Sequence, residues 1–191
     1  GETCQAGSPY YDPAEIPGTF QAEYFDKGGE GVGYSDSTEG NSGTRKIQGE
    51  QDLFDWGERK YEDVDVTETK LFNSIWVVGW ISAGEYLRYT VNVTKEARGL
   101  VLSFRVSSPS GSGTFRLVSG GTDCDDYTAD LTGLVHVDNT GGYDKYSTQR
   151  LNTRVGLSKG YTYIWLCVES GGFNIDYFSM EEDSLWLQMY D

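Results

Sequence analysis

Residues Glu85–Val93 (EYLRYTVNV) alternate between apolar and polar side chains along most of their length. A period of two residues is typical of a β-strand that has one buried face. Tyr161–Val168 (YTYIWLCV) is instead apolar at most positions, which is typical of a central strand that is covered on both faces. The alternation recurs in three further segments, Leu100–Val106, Thr114–Val118 and Leu151–Leu157.

No segment shows a sustained helical stripe of apolar residues, and the short strands are separated by turns rich in glycine and serine. This pattern predicts an all-β fold, an antiparallel β-sandwich. The 191 residues suffice for one such domain. We expect residues 1–15, which lack periodicity, to be a leader or linker, residues 16–183 to form the sandwich, and residues 184–191 to be a C-terminal tail.

One region, Lys46–Lys60, interrupts the strand pattern. It is polar and does not alternate, yet it contains Trp56. We predict a long loop inserted between strands. Long loops in compact domains are often functional, and the alternative is a loop that packs its own aromatic residues on the sandwich.

The charge of the chain excludes two classes of partner. Fifteen basic and 30 acidic residues give a net charge of −15, which repels the phosphates of nucleic acids and the anionic surfaces of membranes. No apolar run approaches the roughly 18 residues of a membrane-spanning helix. Because Gly1–Cys4 resembles a mature N-terminus, we expect a secreted protein, and only in that case is Asn92 in Asn92–Thr94 a candidate glycosylation site.

The three cysteines, Cys4, Cys124 and Cys167, are too sparse and too far apart for a zinc site. They allow one disulfide with one thiol left over, and the sequence alone does not select the pair.

The chain offers little for catalysis. His136 is the single histidine, and it lies in a strand-like run, where a structural role is the simpler interpretation. Carboxylates are numerous, but they form no compact motif of the kind that a two-carboxylate glycosidase needs. We therefore expect a protein without enzymatic activity, with a small glycoside hydrolase as the less favoured alternative.

Aromatic residues in glycine-rich loops indicate what the protein binds. Neutral sugars present C–H faces, which stack on aromatic rings, and hydroxyl groups, which bond to amides and carboxylates. Tyr34, Tyr143 and Trp56 lie in predicted loops, where rings are available to a ligand. This arrangement favours a carbohydrate-binding function.

A series of motifs occurs in one order along the chain. They are Ile16–Glu23 (IPGTFQAE), Gly28–Asp36 (GGEGVGYSD), Gly40–Gly43 (GNSG), Val78–Trp80 (VGW) followed by Gly84–Val93, Asn139–Tyr143 (NTGGY) and Ser170–Phe178 (SGGFNIDYF). The series resembles carbohydrate-binding module family 6 over nearly the whole chain. The resemblance implies a jelly-roll β-sandwich with a structural calcium ion, usually appended to a secreted glycoside hydrolase. It also implies a sugar site in the loops at one end of the sandwich, with Tyr34 and Tyr143 as the two rings and Asn174 as the amide.

The same resemblance implies a set of calcium ligands away from the sugar. Gln21 and Glu23 would come from the first strand, Asp176 from the last strand, and a backbone carbonyl from the region of Arg45. Oxygen donors of this kind suit Ca²⁺. Strict alternation would place Asn174 and Asp176 on one face of a strand, so these two roles require the chain to bend between them.

We therefore expect a monomeric module that binds β-linked polysaccharides or oligosaccharides, with β-1,3-glucan of the laminarin type first and xylan or algal galactan next. It would be covalently linked to a catalytic domain. The alternative is a stand-alone, lectin-like recognition or adhesion protein. Some relatives use a second cleft on a sheet face, and the sequence does not map it here.

Overall fold

The computed structural model describes residues 7–43, 59, 61–69 and 76–183. Among these residues there are thirteen strands and a single 3-10 turn, Ala22–Tyr24, and no helix has the length and apolar character needed to cross a membrane. The strands are β1 (Ala14–Ile16), β2 (Gly18–Gln21), β3 (Tyr34–Ser35), β4 (Val66–Glu68), β5 (Trp76–Val78), β6 (Tyr86–Val93), β7 (Ala97–Ser107), β8 (Thr114–Ser119), β9 (Ala129–Asp130), β10 (Val135–His136), β11 (Ser147–Leu157), β12 (Gly160–Ser170) and β13 (Asn174–Glu182).

The strands form two sheets, as the predicted β-sandwich requires. The first sheet has the order β1-β6-β12-β8-β10, with β3 paired to β6 and β9 paired to β8. The second has the order β11-β7-β13-β5-β4, with β2 paired to β13. All pairings are antiparallel except that of β1 with β6. The predicted all-β, antiparallel sandwich is confirmed.

The inward face of each alternating strand forms one continuous core. In β6, Leu87 and Tyr89 point into it, whereas Arg88 points outward. Along the direction of the sheets the core continues through Phe104 and Phe115, whose ring centroids are 5.1 Å apart. Burial of such side chains contributes about 1.5–3 kcal/mol each, so the period-two pattern is the main source of stability.

The central strand β12 is buried on both faces, as its apolar sequence predicts. Its inward residues join the main core, while Trp165 and Cys167 form a second apolar cluster on the outer face with Val118. Cys167 is disulfide-bonded to Cys124 in the loop that follows β8. The indole nitrogen of Trp165 donates a hydrogen bond to the Gly120 carbonyl, 3.0 Å away. The loop after β8 thus covers the outer face of this strand.

Several sequence-based expectations concern residues outside the described ranges: Cys4, Arg45, most of the predicted 46–60 loop with Trp56, and the tail 184–191. The N-terminal boundary is partly visible. Strand β1 begins at Ala14, and the carbonyl of Ser8 accepts a 2.7 Å hydrogen bond from the backbone N–H of Lys27. The sheet therefore includes the last two residues of the segment that was predicted to be a leader.

Candidate functional site

A cleft of about 460 Å³ opens at the end of the sandwich where β5, β7 and β12 terminate. Its walls carry two large aromatic side chains that remain about half exposed, Trp80 at 57% and Tyr143 at 51%. The other lining residues are Ile81, Gly172, Phe173 and Asn174. Exposed rings beside a polar amide form a surface suited to a ligand that has both C–H faces and hydroxyl groups.

Trp80 is held in an uncommon backbone conformation. Its φ angle of 48° lies in the left-handed region, which is costly for a residue with a bulky side chain. The conformation is fixed from both sides, because the N–H of Gly79 donates to the Asp65 carbonyl at 2.8 Å and the N–H of Ser82 donates to the Glu85 carboxylate at 2.8 Å. Strain of this kind is concentrated at functional sites.

Two glycines permit the close packing of the cleft loops. A Cβ atom at Gly171 would overlap the carbonyl oxygen of Ile81, and a Cβ atom at Gly79 would lie only 2.9 Å from Oδ1 of Asn174. The Trp80 loop can therefore approach the β12–β13 connection only because both positions lack side chains. Phe173 anchors this connection in the core, with its ring centroid 5.7 Å from that of Phe115.

The Tyr143 loop is fastened to the two strands beneath it. The backbone carbonyl of Tyr143 accepts hydrogen bonds from Oγ of Ser107 at 2.8 Å and from Nδ2 of Asn174 at 3.3 Å. Three further hydrogen bonds, at 2.8, 2.8 and 3.1 Å, join Thr140 to Ser108 in the same region. The second ring of the cleft thus sits on a loop with fixed geometry.

The carboxamide of Asn174 is oriented by two acceptors. Its Nδ2 donates to the Tyr143 carbonyl and to the hydroxyl of Tyr146, at 3.3 and 3.4 Å. Burial raises the pKa of the Tyr146 phenol, which therefore stays neutral at physiological pH. With Nδ2 engaged, Oδ1 is the atom of Asn174 that can accept a hydrogen bond from a hydroxyl group of a ligand.

Tyr34 does not lie in this cleft, which corrects the prediction that it is one of the two sugar-stacking rings. Its side chain is 3% exposed and packs edge-on against Phe25, with 5.5 Å between the ring centroids. Its hydroxyl group contacts the Asp63 carboxylate, and burial raises its pKa. A ring enclosed in the core presents no face to a sugar. Trp80 provides the second exposed ring instead.

The predicted calcium ligands that the structure describes are brought to one region. Gln21 pairs with Tyr177 of β13, and the 3-10 turn that follows Gln21 also packs against β13. Glu23 in this turn and Asp176 in β13 are 4% and 1% exposed. The described residues contain no cluster of three or more His, Cys, Asp and Glu side chains that could hold a metal. The predicted set is of a different kind, with two carboxylates, one amide and a carbonyl near Arg45.

The chain bends between Asn174 and Asp176, as the separate roles predicted for these two residues would require. Ile175 is opposite Val106 of β7, but Tyr177 is opposite Arg105, so one residue of β13 is extra. This β-bulge interrupts the strict alternation of the strand. Asn174 lines the cleft, whereas Asp176 is buried with its Oδ2 3.3 Å from Nε of Arg105.

A second depression, of about 660 Å³, lies beside the loop that carries the disulfide. Five of its eleven lining residues are charged, and Arg116 within it is paired with Asp130 and Glu169 at 2.7 and 3.1 Å. The Trp80–Tyr143 cleft, by contrast, is lined by two rings that are each about half exposed. That cleft is therefore the better candidate for a sugar site.

Comparisons with solved structures reveal the same fold. CsCBM6-3 from Clostridium stercorarium, solved in complex with cellobiose, has 17% identity and a TM-score of 0.61, and the match covers 91% of this chain and 99% of that one. A β-1,3-glucan-binding CBM6 from Bacillus halodurans has 19% identity and a TM-score of 0.58, covering 89% and 99%. An arabinoxylan arabinofuranohydrolase of glycoside hydrolase family 43 from Bacillus subtilis has 16% identity and a TM-score of 0.53, covering 90% of this chain and 28% of that one.

No curated protein matches the chain, but the profile of a known family does. The profile described as Carbohydrate binding module (family 6) matches residues 57–182, which is more than half of the chain. The match includes Trp80, Tyr143 and Asn174 of the cleft. The chain belongs to carbohydrate-binding module family 6, and it is a carbohydrate-binding protein.

Proposed function

We propose that the protein binds β-linked glucan chains in the Trp80–Tyr143 cleft, with β-1,3-glucan of the laminarin type as the preferred ligand. The observation that carries this proposal is the presence of two half-exposed rings and one oriented carboxamide in a single cleft. The rings would stack on the C–H faces of a pyranose, while Oδ1 of Asn174 would accept a hydrogen bond from one of the sugar's hydroxyl groups.

The preference for a neutral glucan has two supports. The net charge of −15 disfavours sulfated or carboxylated polysaccharides. The similar structures from Bacillus halodurans and Clostridium stercorarium are a β-1,3-glucan-binding module and a cellobiose complex. Xylan and algal galactan are the next candidates. With two rings and few hydroxyl contacts, we expect dissociation constants between roughly millimolar and micromolar, about −4 to −8 kcal/mol.

We further propose that the protein is non-catalytic, secreted, and attached to a glycoside hydrolase. The Cys124–Cys167 disulfide supports an oxidising compartment, because such bonds are rare in reducing cytosol. The similarity to part of the Bacillus subtilis arabinofuranohydrolase supports the attachment. In this role the module would hold the enzyme on its polysaccharide, which raises the effective concentration of substrate.

A structural calcium ion belongs to the same proposal. Gln21, Glu23 and Asp176 would hold it, together with a backbone carbonyl near Arg45. The buried carboxylates of Glu23, in the turn after β2, and of Asp176, in β13, are hard oxygen donors, which Ca²⁺ prefers. Bound there, the ion would neutralise buried negative charge and cross-link β13 to the turn after β2.

A binding screen tests the proposed function. Laminarin, cellulose oligosaccharides, xylan and agarose are titrated separately, and the release of reducing sugar is measured in parallel. We expect heat of binding with laminarin and no sugar release from any glycan. Binding of none of the four glycans, or release of sugar from a glycan that binds, would contradict the proposal.

A further inference from the structure

Asn174 is connected to the protein interior through the phenol of Tyr146. The Tyr146 hydroxyl accepts a hydrogen bond from Nδ2 of Asn174 at 3.4 Å. Tyr146 lies immediately before β11, and its side chain is half-buried beside Ser107. Rotation of the Asn174 carboxamide would break this bond and the one to the Tyr143 carbonyl. The phenol therefore selects one orientation of the amide.

Tyr146 in turn contacts Arg105 of β7. The guanidinium carbon of Arg105 lies 5.8 Å from the centroid of the Tyr146 ring, within the range of a cation–π interaction. On its other side, Nε of Arg105 is 3.3 Å from Oδ2 of Asp176. Asp176 is 1% exposed, and the attraction between its charge and Arg105 is therefore little screened.

These side-chain contacts connect Asn174 to Asp176 by a second route, in addition to the backbone of β13. Asn174 and Asp176 are joined through Ile175 along the chain, and they are joined a second time through the side chains of Tyr146 and Arg105. The bulge at Asp176 makes this possible, since it places Asp176 beside Arg105 and leaves Asn174 in the cleft. If the Asp176 carboxylate shifts, Arg105, the Tyr146 ring that contacts Arg105, or the bulged backbone of β13 must therefore move with it.

We propose that Tyr146 and Arg105 are positioning residues for the cleft, which couple the Asn174 carboxamide to the Asp176 carboxylate and so make sugar affinity depend on what occupies the Asp176 site. This inference rests on the proposed sugar-binding role of the cleft and on the proposed calcium site. Calcium at Asp176 would thereby act on the amide through this chain's own side chains, without touching the sugar.

A double-mutant cycle measures the first step of this coupling, between Tyr146 and Asn174. Tyr146→Phe removes only the hydroxyl group and retains the ring against Arg105, so the hydrogen bonds of that hydroxyl group to Asn174 and Ser107 are lost. We expect laminarin-oligosaccharide affinity to fall by about three- to tenfold. In the Asn174→Ala background the same substitution should have no further effect, because Tyr146 acts through Asn174. Additive losses, or no loss in the wild-type background, would overturn the proposal.

Two variants separate positioning from general stability. Tyr161→Phe is the matched control, since Tyr161 is 73% exposed on the opposite sheet, and it should leave affinity unchanged. Arg105→Lys keeps a positive charge near Asp176 but loses the planar guanidinium, so we expect an affinity between those of the wild type and Tyr146→Phe. If Arg105→Lys binds the sugar with wild-type affinity, the guanidinium of Arg105 does not help to position Asn174, and its proposed role is wrong.

A spectroscopic readout works even without a sugar. In the NMR spectrum, calcium addition to the chelated wild-type protein should shift the side-chain amide signals of Asn174, and the shift should be lost in Tyr146→Phe. If the wild type binds none of the glycans, the proposed function fails. The NMR shift still decides whether Asn174 is coupled to Asp176 through Tyr146 and Arg105. Equal calcium-induced shifts in the wild type and Tyr146→Phe would refute the proposed coupling through Tyr146 and Arg105.

Discussion

Asn174 and Asp176 are two residues apart on β13, yet the first lines an open cleft and the second is buried against Arg105. The extra residue between the pairs Ile175–Val106 and Tyr177–Arg105 produces this divergence. A β-bulge next to a binding site re-aims a side chain. Here it allows one short strand to contribute side chains both to an open cleft and to the interior.

Asn174 should be a determinant of affinity rather than of stability. Asn174→Ala removes the proposed hydroxyl acceptor from a half-exposed position, so we expect about tenfold weaker binding of laminarin oligosaccharides and little change in the thermal midpoint. Calorimetry and thermal unfolding together check this. Asn152→Ala, at an exposed position of β11, is the matched control and should change neither quantity. A large fall in the midpoint with unchanged affinity would refute the assignment.

Calcium removal should destabilise the fold. A ligand present at about 100 times its dissociation constant stabilises the folded state by roughly 2.7 kcal/mol, so verified chelation should lower the thermal midpoint by about 5–10 °C. Asp176→Asn should abolish the difference between the chelated and the calcium-loaded protein. Asp125→Asn, in the loop that contains Cys124, should retain it. An unchanged midpoint in the chelated wild type would count against the ion.

Stability should decrease at alkaline pH. Burial raises the pKa of Tyr34, and it raises that of Tyr89 well above the ordinary value of 10.0. Above about pH 10 the unfolded chain has lost these protons while the folded chain retains them. The free energy of unfolding is therefore fully retained below pH 10 and decreases as the pH rises through the raised pKa values. Urea unfolding between about pH 8 and pH 11 measures this slope.

One substitution checks the origin of the alkaline effect. Tyr34→Phe removes one buried phenol and should make the slope of stability against pH shallower, whereas Tyr161→Phe, at an exposed position, should leave it unchanged. The same Tyr34→Phe variant should bind glycan normally, because Tyr34 lies in the core. Weakened sugar binding without loss of stability would restore the rejected role of Tyr34.

The disulfide should stabilise the domain and hold the loop after β8 against the outer face of β12. Cys124 and Cys167 are separated by 43 residues, and a bond that closes such a loop contributes about 2–4 kcal/mol. The double substitution Cys124→Ala with Cys167→Ala should lower the free energy of unfolding by this amount and expose Trp165 to fluorescence quenchers. Sugar affinity should persist, since neither cysteine lines the Trp80–Tyr143 cleft. Unchanged stability would contradict a structural role of the bond.

The fold was predictable because its strands repeat one physical pattern. The alternation in Glu85–Val93 and the apolar run Tyr161–Val168 both describe faces that are buried in the structure. The sequence predicted only that β13 must bend between Asn174 and Asp176, because the two residues were assigned roles on different faces. The location of the bulge depends on the register with β7, which no local pattern of β13 determines.

The cleft was predicted in part. Tyr143 and Asn174 do line the same cleft, and their sugar-binding role stays a prediction. Tyr34 was misassigned because a tyrosine in a glycine-rich segment reads as a loop residue, although β3 pairs with β6 and draws its ring into the core. Trp80 was missed although its signal was present, a tryptophan directly after an apolar strand and a glycine. The strained φ that presents its ring depends on contacts from Asp65 and Glu85, which sequence spacing does not reveal.

The most direct test of the proposed sugar site is calorimetric titration of laminarin oligosaccharides into the wild type, Trp80→Ala and Tyr143→Ala. Central aromatic contacts typically cost 2 kcal/mol or more when truncated, so each substitution should weaken binding by about 30-fold or abolish it. All three proteins should unfold at similar temperatures, because both rings are about half exposed. Saturable binding by the wild type that both substitutions leave unchanged would contradict the assignment of this cleft as the sugar site.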